Sequence, residues 1–259
     1  TPSMLETMEL PYRIITANAE ESIASVKWAS EQARKTCSPV VLLVQKGSFD
    51  SAEEKRPTKN EPSHILSREE AISIITRNLL SESTIVATTG MISRELYEQR
   101  EALKQDRSTD FLTVGSMGHA SQIALGISYA KPSRQVVCLD GDGAALMHLG
   151  GMATIGTSIK GNLLHIVLNN GAHDSVGGQP TVAQQISLTQ IARSCGYSQI
   201  IGPLETISEI ETSVKKLSKQ TGKRFLEVRV RKGARANLGR PKESPSENKS
   251  LFMSHLAIN

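Results

Sequence analysis

The sequence predicts an α/β fold: a mostly parallel sheet with helices on both faces, preceded by a partial α/β segment. From Ser67 onward, short apolar runs rich in Val, Ile and Leu alternate with longer stretches of helical periodicity. Strands separated by helices pair in parallel. The runs are apolar at nearly every position, as strands covered on both faces must be. Four successive runs are followed by glycine-rich, small polar loops: TTGM, GSMGH, GDGAA and NNGAHDSVGG.

The elements follow in chain order. The opening segment carries helical spacing over Ala19–Arg34 and a buried strand over Pro39–Val44. One helix and one strand cannot bury each other, so residues 1–47 read as the end of a domain. The chain opens on Thr1, and the expectation is a sequence that lacks its beginning. Residues 48–66 carry charges and prolines with few apolar residues, the composition of a linker. The main domain then spans 67–259. Its first helix, Arg68–Leu80, starts at a capping box formed by Ser67 and Glu70. Strand Thr84–Thr88, helix Ser93–Leu103 and strand Phe111–Val114 come next. Helix His119–Ala130 is stopped by Lys131-Pro132, and strand Gln135–Leu139 leads into helix Ala144–Ile159. Strand Leu163–Leu168, helix Val182–Cys195, a short strand near Gln199, helix Ile207–Lys219 and strand Phe225–Val230 complete the alternation. Gly233, Gly239 and Pro241 make the tail RKGARANLGRPK irregular.

Composition narrows the function classes. The 259 residues, 38% hydrophobic and 22% charged, suffice for one large domain and part of another. Cys37, Cys138 and Cys195 form no CxxC pair, which fits buried thiols in a reducing compartment and a cytoplasmic protein. No apolar run is long enough to span a membrane. The net charge of +4 is local: Lys223 to Lys249 holds nine Lys or Arg against three Glu. With aromatics at 3% and no nucleic-acid motif, that patch points to a small acidic molecule or to solvent, not to nucleic acid.

In doubly wound sheets ligands bind at the carboxyl ends of the strands, where the four glycine-rich loops fall. Asp142 follows one strand and Asn169-Asn170 ends the next, so their side chains can converge. A carboxylate with an amide oxygen is a hard donor set suited to Mg²⁺. Gly143 and Ala144, opening a helix, offer N–H groups to an anion. Together they describe a diphosphate held through a divalent metal. A dinucleotide fits poorly, because GDGAAL lacks the third glycine of GxGxxG and places a carboxylate where pyrophosphate must approach. His119, His173 and Asp174 lie at strand ends and are candidates for proton transfer or substrate contact. His165, inside a strand, reads as a packed structural histidine. The consecutive HDS at 173–175 is no hydrolase triad, since neighbours in sequence rarely face one another.

GDG followed after about thirty residues by NN resembles the cofactor motif of thiamine-diphosphate-dependent enzymes. FLTVGSMGHASQIALGISYAKP, VVCLDGDGAALMHLGGMATIG, NLLHIVLNNGAHDSVGGQPT and KGARANLGRP…ENKSLFM resemble, within them, the phosphonopyruvate decarboxylases. The resemblance implies the tail of a pyrimidine-binding domain in residues 1–47 and a diphosphate- and Mg²⁺-binding domain in 67–259. It makes Asp142 and Asn170 side-chain metal ligands with the Ala172 carbonyl as third, and leaves Asn169 as the alternative amide. It gives Met117 the task of propping the bent cofactor and Gly115 that of accepting from the aminopyrimidine. Ser116, Gly141, Gly143 and Ala144 join the cofactor-binding set, while Thr88, Thr89 and Gly90 line the diphosphate or substrate edge. The implied reaction is decarboxylation of 3-phosphonopyruvate to phosphonoacetaldehyde with thiamine diphosphate and Mg²⁺. The alternatives are sulfopyruvate or another 2-oxo acid, or a non-catalytic cofactor-binding subunit. A homo-oligomer with the cofactor at a subunit interface is expected, because such enzymes take an activating glutamate from a pyrimidine-binding domain; Glu6, Glu9, Glu20 and Glu21 are not assigned that role. Arg235 and Arg240, with Lys232 behind them, are the expected readers of a phosphonate.

Overall fold

The computed structural model describes residues 1–50, 65–158 and 161–258. The chain forms two compact units, Thr1–Lys59 and Asn60–Asn259. Of the segment 48–66 expected as a linker, residues 51–64 lie outside the described residues.

In the first unit, α1 (Pro2–Thr7) precedes β1 (Tyr12–Ile15), α2 (Ala19–Thr36) and β2 (Val41–Val44). The strand expected near 39–44 has a partner that sequence periodicity did not reveal. β1 pairs with it in parallel, Tyr12 opposite Val41 and Ile15 opposite Val44. The connecting helix α2 is capped by Asn18, whose side chain accepts from the Glu20 and Glu21 N–H groups. Leu5 and Ile15 are buried, whereas Ile14, Ile23, Val26 and Val44 stay exposed. Two strands offer too little area to cover them.

The second unit contains α3 (Arg68–Asn78), β3 (Thr84–Ala87), α4 (Met91–Ala102), β4 (Asp110–Leu112), α5 (Ala120–Ala130), β5 (Val136–Gly141), α6 (Asp142–Met147) and α7 (Gly150–Thr157). It continues through β6 (Leu163–Asn169), the short hairpin β7 (Ala172–His173) and β8 (Gln179–Pro180), α8 (Leu188–Cys195), β9 (Gln199–Leu204), α9 (Ile207–Ser218), β10 (Lys223–Arg229) and α10 (Pro245–Ile258). Among the described residues, six strands form one parallel sheet in the order β4-β3-β5-β6-β10-β9. The chain moves outward from β3 to β4 and then returns to β5 on the other side of β3. The strand order therefore reverses between β3 and β5, which opens a crevice at their carboxyl ends.

Alternation along each central strand separates two cores. Val137 and Leu139 of β5, Leu164 and Ile166 of β6, and Leu226 and Val228 of β10 share one cluster with residues of α3, α4 and α9. Val136 and Cys138, Leu163 and Val167, and Phe225 share the other with α5, α7 and α8. His165 lies in the second layer as a structural residue: Nδ1 is 3.0 Å from the Tyr197 hydroxyl and Nε2 is 3.1 Å from an Asp140 carboxylate oxygen.

Three stretches depart from the sequence-based expectation. The helix expected over 144–159 is broken into α6 and α7 at His148 and Leu149. The break falls at His148, whose backbone leaves the helical region (φ −128°, ψ 52°) just before the poor helix formers Gly150 and Gly151; the Gly151 carbonyl accepts from Gln122 Nε2 at 3.0 Å. Helix 182–195 shortens to α8, which starts only where Ser187 caps it through the Gln190 N–H. Its expected first turn is instead drawn into a turn around Thr181, whose hydroxyl accepts from Ala183 N–H at 3.3 Å. The tail after β10 ends in α10, whose N-terminus is closed reciprocally by Ser244 and Glu247.

That last helix protects an edge. The Asn248 amide accepts from the Leu112 N–H and donates to the Asp110 carbonyl, both at 3.1 Å, and so covers backbone groups of the outermost strand β4. Asn248→Ala is expected to cost about 2 kcal/mol, two half-buried hydrogen bonds at roughly 1 kcal/mol each, as read by chemical denaturation. An unchanged midpoint would show that water replaces the amide at no cost.

Candidate functional site

Register brings the site together. β5 ends at Gly141, which is paired with Leu168 of β6, so Asp142 emerges beside Asn169 and Asn170. Asp142 is 1% exposed. Burial pushes its carboxyl above the ordinary range, opposed by the Thr181 hydroxyl and by the backbone N–H groups of Asn170, Asp142 and Gly143. Thr181 Oγ1 donates to Asp142 Oδ2. The Gly143 N–H thus faces its neighbouring carboxylate, not an open anion site as sequence position implied. Gly143 serves through its missing side chain: a Cβ there would lie 2.6 Å from the His173 ring and 3.3 Å from Met117 Cε.

The two asparagines have different partners. Asn169 donates to Glu227 Oε1 at 2.8 Å and accepts from Gly171 N–H at 3.1 Å. It is tied into the strand end, and among the two amides it is Asn170 that lines the cleft with Asp142. Asn170 donates to Asp174 Oδ2 at 2.6 Å, and its Oδ1 accepts from Ala172 N–H at 3.0 Å. A carbonyl oxygen has a second lone pair to offer a metal. Ala172 sits opposite Pro180, and proline has no N–H to give the Ala172 carbonyl.

One cleft is lined by Thr88, Thr89, Met117, Gly141, Asp142, Gly143, Ala144, Asn170, Ala172, His173 and Asp174. Gly90, Gly115, Ser116 and His119 do not line it. Gly90 (φ 98°) instead opens α4 beside Ser175, and Gly115 N–H is stitched to Thr89 Oγ1 at 3.1 Å. Ser116 holds a left-handed φ of 45° that a non-glycine residue rarely adopts, which turns Met117 into the cleft. His119 is exposed, with Nδ1 3.1 Å from the Ser116 carbonyl and its ring 4.3 Å from that of His148. Asp174 is anchored: one oxygen accepts from Arg68, Asn170 and Gly233. That binding suits positioning better than proton transfer and leaves His173 as the titratable candidate in the cleft.

Arg235 and Arg240 are placed elsewhere. They line a separate groove with Arg77 and Lys242, and Arg235 is ion-paired with Glu69 and Glu98. Lys232 lies in a further groove beside Ser67 and Arg231. The tail meets the cleft through backbone instead, at Gly233.

Arg68 and Glu95 escaped sequence reasoning. Arg68 lines the cleft and grips Glu95 through two nitrogens, at 2.7 and 2.9 Å, and Asp174 through a third at 2.9 Å. Burial works against the Arg68 charge, but its carboxylate partners outweigh this and hold its pKa above the ordinary arginine value. The available signal was a cation in the first turn of a helix, where the dipole disfavours it.

The residues fit a diphosphate carried on a divalent cation. Asp142 and Asp174 line the cleft with Arg68, whose guanidinium also pairs with Glu95; three carboxylates against one guanidinium leave a formal surplus of two negative charges, which a divalent cation would neutralise. Thr88 Oγ1, at the same cleft, is buried without a hydrogen-bond partner. Such a group is costly unless something else fills its bonding capacity.

Residues 88–228 match the family described as thiamine pyrophosphate enzyme, C-terminal TPP binding domain. The chain is 34% identical over 243 residues to a phosphonopyruvate decarboxylase of Streptomyces hygroscopicus, covering 94% of this chain and 55% of that protein. It is 40% identical over 136 residues to a sulfopyruvate decarboxylase subunit beta of Methanothermobacter thermautotrophicus, covering 52% of this chain and 70% of the subunit. The chain thus spans about half the length of the phosphonopyruvate decarboxylases it matches. In fold it is similar to the thiamine diphosphate-dependent 4-hydroxybenzoylformate decarboxylase of Rhodococcus jostii RHA1, at TM-score 0.55 and 20% identity over 76% of this chain and 36% of that one. The chain belongs to the thiamine pyrophosphate enzymes, and its second unit contains their C-terminal cofactor-binding domain.

Proposed function

We propose that this chain takes part in a thiamine-diphosphate- and Mg²⁺-dependent 2-oxo acid decarboxylase whose substrate is 3-phosphonopyruvate, released as phosphonoacetaldehyde and CO₂. The observation that carries the proposal is the buried Asp142 set beside the Asn170 amide at adjacent strand ends of the crevice. The substrate assignment is supported by 34% identity to a phosphonopyruvate decarboxylase along nearly the whole chain.

When bound, thiamine diphosphate supplies the carbanion that attacks the keto carbon and the electron sink that lets the carboxylate leave. The chain's own residues bind and orient it. Asp142, Asn170 and the Ala172 carbonyl would hold the metal, Ala144, Gly141 and Thr89 would border the diphosphate, and Met117 would support the cofactor from the cleft wall. His173, held against Gly143, donates or accepts a proton at the cleft. Apolar Ile92 and Leu168 on the cleft wall keep water from the reacting carbon. The proposal includes a homo-oligomer with the cofactor at its interface and a cytoplasmic location, the latter supported by three free cysteines.

Initial rates on phosphonopyruvate, sulfopyruvate and pyruvate test the assignment in the native protein. The expected kcat/KM for phosphonopyruvate exceeds that for pyruvate by at least about tenfold. Preference for sulfopyruvate would establish the second reading, which the 40% identity to a sulfopyruvate decarboxylase subunit favours. Cofactor binding without turnover of any of the three would leave a cofactor-binding subunit.

A further inference from the structure

We infer that Arg68 is a positioning residue: through Asp174 it fixes which end of the Asn170 amide faces the metal, and it ties the chain after β10 to that side of the cleft. The inference rests on the proposed role of Asp142 and Asn170 in holding Mg²⁺.

Arg68 is 4% exposed at the first position of α3. A helix gains nothing from a cation there, so the reason lies in what the guanidinium touches. Nε and one terminal nitrogen take both Glu95 oxygens, at 2.7 and 2.9 Å. The other terminal nitrogen donates to Asp174 Oδ2 at 2.9 Å. The same Asp174 oxygen accepts from Asn170 Nδ2 at 2.6 Å and from Gly233 N–H at 3.0 Å. Three donors on one oxygen fix its position.

The consequence falls on Asn170. The two ends of an asparagine amide are nearly equal in size, and only the oxygen can ligate a hard cation. With Nδ2 held by Asp174, Oδ1 is forced to the opposite side, where it accepts from Ala172 N–H and keeps a lone pair. Without Arg68, Glu95 and Asp174 become buried carboxylates lacking their counter-charge. Asp174 then loses its fixed place, and the amide loses its fixed orientation.

The two ions Mg²⁺ and Ca²⁺ separate positioning from general damage. Mg²⁺ demands near-ideal octahedral geometry, whereas Ca²⁺ tolerates variable ligand number and angle. A misaligned amide therefore harms Mg²⁺ binding more, while loss of stability harms both alike. Affinities for each ion would be measured calorimetrically in the native protein with saturating thiamine diphosphate. Arg68→Met is expected to weaken Mg²⁺ by at least about tenfold and Ca²⁺ by less than about threefold, with Arg68→Lys intermediate. Asp174→Leu leaves the Arg68–Glu95 pair balanced and is expected to reproduce the same split if Arg68→Met fails to fold. Lys242→Ala, on the same tail but paired with Glu101 at 2.8 Å, is expected to change neither. Equal losses for both ions, or unchanged Mg²⁺ affinity in the folded variants, would overturn the positioning role. A native protein that binds the cofactor with neither ion would overturn the metal assignment itself.

Discussion

Asp142→Ala is expected to lower Mg²⁺-dependent affinity for thiamine diphosphate at least about a hundredfold, roughly 2.7 kcal/mol. Asp142 is the charged member of the proposed metal set, so its loss leaves only neutral oxygens to offset the cation. The diphosphate then faces the surplus negative charge of Asp174 and Glu95 with no ion between them. Calorimetry with Mg²⁺ and with a chelator measures the effect, and retention of metal-dependent binding would remove Asp142 from the set. Stability is expected to change in the opposite sense. Burial raises the Asp142 carboxyl pKa in the folded chain, so at pH above that value its ionisation opposes folding. Once both states are protonated at low pH the penalty disappears. Asp142→Asn should therefore raise the unfolding midpoint of the metal-free protein at neutral pH, with the gain shrinking as pH falls through the folded value.

Gly156→Ala is expected to destabilise the second unit by about 3 kcal/mol or more. Gly156 lies in α7 where α8 ends, and a Cβ there would sit 1.9 Å from the Cys195 carbonyl oxygen and 2.6 Å from its carbon. Backbone atoms cannot rotate aside as a side chain can, so the two helices must separate. Alanine's better helix propensity returns only about 1 kcal/mol. A denaturation midpoint that is unchanged or higher would show that α7 and α8 slide without loss. Met152 and Ile155, buried in the core on the same helix, make that sliding expensive.

The meeting of Asp142 and Asn170 in one cleft was legible because these residues lie in contiguous loops. GDG and NN each end a strand, and parallel pairing of β5 with β6 brings such ends together whatever the helices between them do. Met117, which the resemblance singled out, also lines the cleft. Arg68 and Glu95 were not, because their meaning depends on a contact between two helices, α3 and α4, that no local pattern encodes. The placement of Arg235 and Arg240 was not legible for a related reason. Charge density marks a segment as basic but not which groove it faces, and both line a groove with Arg77 and Lys242 separate from that of Asp142. The break at His148, where the backbone leaves helical φ and ψ, was not legible because apolar periodicity runs on across it while Gly150 and Gly151 weaken the helix. α10 carried a readable signal, the Ser244-Pro245-Ser246-Glu247 capping pattern, hidden behind the irregular tail before it.

Asp142 and Asn170 are proposed to hold the divalent ion that carries thiamine diphosphate. The most direct test is a crystal of the native protein grown with thiamine diphosphate and Mn²⁺, which scatters anomalously and favours the same oxygen ligands as Mg²⁺. An anomalous peak is expected at the mouth of the crevice, bonded to the Asp142 carboxylate, the Asn170 amide oxygen and the Ala172 carbonyl. A peak among Cys138, Asp140 and His165, whose potential ligand atoms lie within 4.8 Å of one another in the core, with none at Asp142, would contradict it.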